Sequence, residues 1–146
     1  ELKTTGKYTI TPEMKEKLAD FAAGYSTEEE TAESIHDTYQ KTGYVMDTHT
    51  AVAYSSYEKY KSKSNDLTKN VVVSTASPYK FVKSVMSAID AENANADEFD
   101  LLPKLQEVSG VPMPQAIKDI LDAKVLHDLE CDADKMKDTV KGILGV

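Results

Sequence analysis

Apolar residues recur at helical spacing in several stretches of this chain, separated by short β-branched runs. Thr11-Pro12-Glu13 opens the first helix: threonine suits the N-cap, and proline suits the first helical position, where its missing N–H has no partner to lose. Met14, Leu18, Phe21 and Ala22 follow at helical steps, and Gly24 supplies a left-handed stop. Ser26-Thr27-Glu28-Glu29 reads as a capping box for a second helix. Glu28, Glu29 and Glu30 stand where the helix dipole favours negative charge. Ala32, Ile35 and Tyr39 form its inward stripe, and Gly43 ends it.

Tyr44-Val45-Met46 reads as a short buried strand, with Asp47-Thr48-His49-Thr50 as the turn into a helix from about Ala51 to Tyr60. A polar loop follows from Lys61 to Asn70. Val71-Val72-Val73 is β-branched throughout, the mark of a strand covered on both faces. Ser74-Thr75-Ala76-Ser77-Pro78 then turns into a helix reaching about Ile89, with Ser77 as N-cap. Residues 90–113 read as an irregular surface excursion containing a short helix from Pro103 to Val108. Pro114 begins another helix carrying Ile117, Ile120 and Leu121. Lys124-Val125-Leu126-His127-Asp128-Leu129 alternates as a strand, and Asp132 caps a last helix faced by Met136, Val140, Ile143 and Leu144. Strands alternate with helices and no hairpin signal appears. The expected fold class is therefore α/β, a small, mostly parallel sheet with helices on both faces, as one unit over residues 1–146.

The 146 residues suffice for one domain. Seventeen basic against 25 acidic residues give a net charge of -8, which argues against nucleic acid as a partner. Apolar runs such as Val71 to Val73 are far too short for a membrane span. Cys131 stands alone, so there is no disulfide framework and a reducing, cytoplasmic setting is expected. The opening at Glu1 rather than Met fits a processed chain or a piece of a longer one.

In an open α/β sheet the ligand crevice lies beyond the carboxyl ends of the strands. Two hydroxyl-dense turns occupy that place here, Asp47-Thr48-His49-Thr50 and Ser74-Thr75-Ala76-Ser77. Their hydroxyls either cap the helices that follow or line a crevice. His36, His49 and His127 are far apart in sequence and there is one cysteine, so no metal-ligand spacing is present. Neither a glycine-rich phosphate loop nor a serine nucleophile elbow occurs. Lys80, in the first turn of an amphipathic helix, suits a solvated or phosphate-facing role better than a Schiff base. Tyr54, Tyr57 and Tyr60 fall at packing spacing on one helix.

The run Thr42-Gly43-Tyr44-Val45-Met46-Asp47-Thr48-His49-Thr50-Ala51-Val52-Ala53 resembles the threonine synthase pattern Gly-Tyr-x-x-Asp-Pro-His-Thr-Ala-Val. Val73-Ser74-Thr75-Ala76-Ser77-Pro78-Tyr79-Lys80-Phe81 resembles that family's Ser-Thr-Ala-His-Pro-Ala-Lys-Phe. The spacing of the two runs, and the helix from Pro114 followed by His127, also resemble the C-terminal region of that enzyme. Ser77 stands where the family usually has His, and Thr48 where it often has Pro.

The resemblance implies a pyridoxal-phosphate enzyme of the tryptophan-synthase-like fold type (fold type II), converting O-phospho-L-homoserine and water to L-threonine and phosphate. The family's Schiff-base lysine lies upstream in a Ser-Phe-Lys-Asp stretch, as does its glycine-rich phosphate cup, and this sequence contains neither. The implied role is one wall of the cofactor site, completed by the remainder of the parent chain and inactive alone. Thr75 matches the family position whose hydroxyl meets the pyridine nitrogen, and Ser74 takes that place if the turn is offset by one residue. His49 matches a residue at the active-site edge, with no chemical role attached to it. The alternatives are another fold-type-II pyridoxal-phosphate lyase and a non-catalytic α/β interaction module.

Overall fold

The computed structural model describes residues 1–146 and resolves into two compact units, Glu1–Pro114 and Gln115–Val146. In the first, α1 (Leu2–Thr5) and α2 (Pro12–Lys17) are short and bury nothing. α3 (Glu28–Thr42) and α4 (Thr48–Ser64) are the long helices. A 3-10 turn over Pro78–Phe81 leads into α5 (Val82–Ile89), and another over Ala91–Asn95 precedes α6 (Glu98–Ser109). α4 packs on α3, α3 on α5, and α5 on α6.

No residue lies in a strand, so the expected α/β class with its small parallel sheet is overturned: the fold is all-helical. Strand propensity makes an extended segment plausible but supplies no neighbour to pair with. Val71 and Val73 are 84% and 69% exposed, in a segment without regular secondary structure. Tyr44-Val45-Met46 forms most of the five-residue link between α3 and α4, and Val45 and Met46 are buried there as plugs. Packing helix on helix gives the apolar stripes their cover without a sheet. Ile35 of α3, Val85 of α5, and Leu101 and Leu105 of α6 are completely or almost completely buried.

Helix ends follow local chemistry, with several shifts from expectation. The Thr11 hydroxyl accepts Met14 N–H at 3.2 Å, but α2 stops at Lys17, so Leu18 and Phe21 fall beyond it and are exposed. Gly24 is not a left-handed stop. Its place is set by space, because a Cβ there would meet Ser56 Cβ of α4 at 3.0 Å. The capping box of α3 is one residue later than expected, between Thr27 and Glu30. Gly43 ends α3 at φ 74°, as its sequence position implies.

α4 begins at Thr48 with Asp47 as N-cap, so the expected turn is already the helix's first turn, and it runs on to Ser64. Ser77 caps as expected, accepting Tyr79 N–H at 3.3 Å. Residues 90–113 are more ordered than an irregular excursion. α6 carries Pro103 inside it rather than at its start, and buries Leu101, Leu102 and Leu105. The Tyr79 hydroxyl donates to Val111 O at 2.6 Å, and burial pushes its phenol pKa up.

The second unit contains α7 (Gln115–Leu121), a 3-10 turn over Ala133–Lys135 and α8 (Met136–Leu144). The segment expected as a strand at residues 124–129 is not one, and its Val125, Leu126 and Leu129 are exposed. No helix is long and apolar enough to cross a membrane.

Candidate functional site

The link after α3 delivers Asp47 into the interior, where its side chain is fully buried. Its Oδ1 accepts the backbone N–H groups of His49 at 2.8 Å and Thr50 at 3.3 Å, the N-cap arrangement. Its Oδ2 accepts the Thr50 hydroxyl. That contact uses the only proton on Thr50 Oγ1, so the Ser74 hydroxyl, 3.0 Å from Thr50 Oγ1 and 3.5 Å from Asp47 Oδ2, acts as donor to the pair. Asp47 therefore binds the turn at Ser74 to the first turn of α4. The two hydroxyl-dense turns meet through a carboxylate that the sequence suggested only as a turn residue. An Asp followed three positions later by Thr at the head of a helix was the available signal.

The three candidate residues are placed differently. Ser74 is engaged in this network. Thr75, next to it, is exposed and its hydroxyl has no hydrogen bond within the chain, which leaves it available to a ligand. Of the two hydroxyls, Thr75 is thus the one left without a partner within the chain. His49 carries its imidazole partly exposed, with Nδ1 3.6 Å from Asp47 Oδ1 and 3.5 Å from Thr48 Oγ1. Its ring packs against Phe81, centroids 5.0 Å apart at 37°. Phe81 belongs to the second motif, so the His49–Phe81 contact is a further tie between the two. Beside them runs a groove of about 420 Å³, with Ser26, Glu28, Thr48, His49, Phe81 and Ser84 among its walls. The Ser26 hydroxyl is buried there without a partner, since the capping box passed to Thr27. Lys80 lies near the Phe81 ring, 5.3 Å from its centroid, and is exposed.

No group of three or more His, Cys, Asp or Glu residues is placed to hold a metal ion. The site thus joins a hydroxyl turn to the N-terminus of α4 through Asp47, with the His49 imidazole next to that carboxylate.

Residues 50–140 match the family described as Threonine synthase, C-terminal. The chain belongs to that family. It is 34% identical over 110 residues to the threonine synthase of Saccharomyces cerevisiae, covering 71% of this chain and 21% of that protein. It is 32% identical over 141 residues to the threonine synthase of Schizosaccharomyces pombe, covering 88% of this chain and 27% of that protein. The threonine synthase-like 1 protein of Mus musculus is 32% identical over 124 residues, covering 83% of this chain and 16% of its own length. The chain thus spans between about a sixth and about a quarter of the length of these relatives.

Proposed function

We propose that this chain is the C-terminal part of a threonine synthase acting in the cytoplasm, where O-phospho-L-homoserine and water become L-threonine and phosphate. The observation that carries this reading is the joining of the two motif segments: Asp47 and Thr50 of the first hold Ser74 of the second. The family match supports it. Pyridoxal phosphate, when bound, supplies the electron sink for elimination and water addition. Thr75 is the residue we assign to its pyridine nitrogen, with Ser74 anchoring the turn from behind. A neutral hydroxyl there leaves the ring nitrogen largely unprotonated, whereas an aspartate would hold a proton on it and deepen the sink. His49 is the residue we assign to the active-site edge, in the groove it lines beside Phe81. The reacting lysine belongs to another part of the parent chain, because no Ser-Phe-Lys-Asp stretch occurs here, and this chain alone turns over no phosphohomoserine.

The test is Thr75→Val beside Thr75→Ser in the complete enzyme. Valine keeps the shape and removes the hydrogen bond. A neutral hydrogen bond contributes about 1 kcal/mol net, and an unpaired buried acceptor costs about 1–3 kcal/mol. Thr75→Val is therefore expected to weaken cofactor retention and slow turnover roughly ten- to a hundredfold, with folding intact. Thr75→Ser should be far milder. Unaltered cofactor affinity and turnover in the valine variant would defeat the assignment and leave these hydroxyls as helix caps.

A further inference from the structure

The environment of His49 is asymmetric about its ring. Nδ1 faces the buried Asp47 carboxylate at 3.6 Å, and no other ionisable side chain lies within ion-pair distance of that carboxylate. The opposite nitrogen, Nε2, has no hydrogen-bond partner in the chain, and the partly exposed ring forms part of the groove wall with Phe81, Ser26 and Glu28. Phe81 restrains the ring plane from one side.

Two partners compete for Nδ1. A bare Nδ1 would place its lone pair against the fixed charge of Asp47 and could accept only from Thr48 Oγ1, at 3.5 Å. A protonated Nδ1 has the Asp47 charge 3.6 Å away and the oxygen of the half-buried Thr48 at 3.5 Å as acceptors, so both favour an N–H there. Asp47 itself cannot turn away, because its oxygens are held by His49 N–H, Thr50 N–H and the Thr50 hydroxyl.

We propose that Asp47 holds His49 in the Nδ1–H tautomer, so that Nε2 stands at the groove as the proton acceptor for a hydroxyl-bearing ligand, water included. The inference rests on the threonine synthase reading only for the identity of that ligand, since water is the second reactant there. The donor's O–H proton passes to the Nε2 lone pair, and the O–H bonding pair stays on the donor oxygen. The resulting imidazolium has its charge facing Asp47, and the ring, open to solvent, returns the proton to water. Asp47 is a positioning residue in this scheme and His49 the group that meets the ligand.

The tautomer is read directly from the nitrogen-15 shifts of His49 in the labelled 146-residue chain at alkaline pH. An unrestrained neutral imidazole prefers its proton on Nε2, so an Nδ1–H signal with bare Nε2 is a distinctive expectation. Asp47→Asn retains an N-capping oxygen and should return the proton to Nε2, whereas Thr48→Val should leave Nδ1 protonated. Wild-type His49 found as Nε2–H, or a tautomer that follows Thr48 rather than Asp47, overturns the proposal. If Asp47→Asn does not fold, the wild type and Thr48→Val decide alone. Diethylpyrocarbonate mapping tests the exposed lone pair: His49 should react several-fold faster than His127, and a rate no greater than that of His127 sinks the acceptor role. Neither readout involves cofactor or phosphohomoserine. Failure here therefore leaves the assignment of Thr75 standing, and failure of Thr75 leaves the tautomer result intact.

Discussion

Thr50 and Ser74 are 24 residues apart in sequence, and their hydroxyl oxygens lie 3.0 Å apart over the buried Asp47 carboxylate. A carboxylate in the interior is tolerable only when its lone pairs are used. Asp47 uses them on two backbone N–H groups and on the Thr50 and Ser74 hydroxyls. Asp47→Ala removes the cap of α4, worth about 1 kcal/mol. It also removes the acceptor of the buried Thr50 hydroxyl, which keeps only the Ser74 hydroxyl at 3.0 Å, a further net hydrogen bond of about 1 kcal/mol. We expect a loss of about 2 kcal/mol in urea unfolding, and a clearly smaller loss for Asp47→Asn. Near-wild-type stability of the alanine variant would show that the network does not hold the two turns together.

Gly24 brings the segment before α3 against α4. A Cβ on it would lie 3.0 Å from Ser56 Cβ and 3.2 Å from Ser56 Oγ, both atoms of a helix that cannot easily yield. Gly24→Ala is expected to cost about 1–2 kcal/mol through overpacking. Ser56→Gly removes both contacted atoms at a helix-propensity cost of about 1 kcal/mol. In the double variant the two losses should fall short of additive, because the clash is gone. Simple additivity in a double-mutant cycle would place the effect in the unfolded chain instead.

Much of the helix punctuation was legible in the sequence, because a cap is a local event. Thr11 before Pro12, Ser77 before Pro78, and Gly43 at positive φ all mark ends that neighbouring residues decide. The capping box of α3 shows where locality fails. Ser26 with Glu29 and Thr27 with Glu30 satisfy the same pattern. The second wins where a distant residue also takes part: Lys59 of α4 reaches Glu30 at 2.6 Å. The sheet failed for the same reason. Val71, Val72 and Val73 specify an extended backbone but carry no information about a partner. Leu101, Leu102 and Leu105 were lost from the expected core because Pro103 between them read as a helix start, although α6 carries it inside. At the site, Ser74, Thr75 and His49 were visible as a motif, while the burial of Asp47 that organises them is a tertiary fact.

The absence of a sheet has a consequence in amide exchange. The amides of residues 71–73 and 125–129 have no backbone acceptor in the fold, so they should exchange at rates close to those of unstructured peptide. Ile35, Val85, Leu101 and Leu105 sit in the helical interior and should be the most protected. Protection of Val71 to Val73 comparable with that of Leu105 would contradict an all-helical chain.

The Lys59–Glu30 contact makes a pH-dependent prediction. The Lys59 ammonium holds the Glu30 carboxyl below its ordinary value of 4.5, with Thr27 N–H acting in the same direction. Lys59 also donates to Tyr25 O at 2.8 Å and lies 5.3 Å from the Tyr25 ring centroid, so one cation ties three points of the α3–α4 junction. A carboxyl with a depressed folded-state pKa contributes fully above its unfolded value and loses that contribution as pH falls through the folded one. The stability due to Glu30 is therefore complete at neutral pH, begins to fall near 4.5 and is lost once pH drops below the depressed folded value. Lys59→Met keeps the aliphatic stem while removing the charge, which lets the Glu30 pKa rise toward 4.5 and flattens the acid limb of the stability curve. Both side chains are more than a third exposed, so solvent and salt screen the pair and its contribution shrinks as ionic strength rises. Urea midpoints across the acid range, for wild type and Lys59→Met at low and high salt, measure this. Parallel curves for the two proteins below neutral pH would show that the Lys59–Glu30 pair carries none of the acid sensitivity.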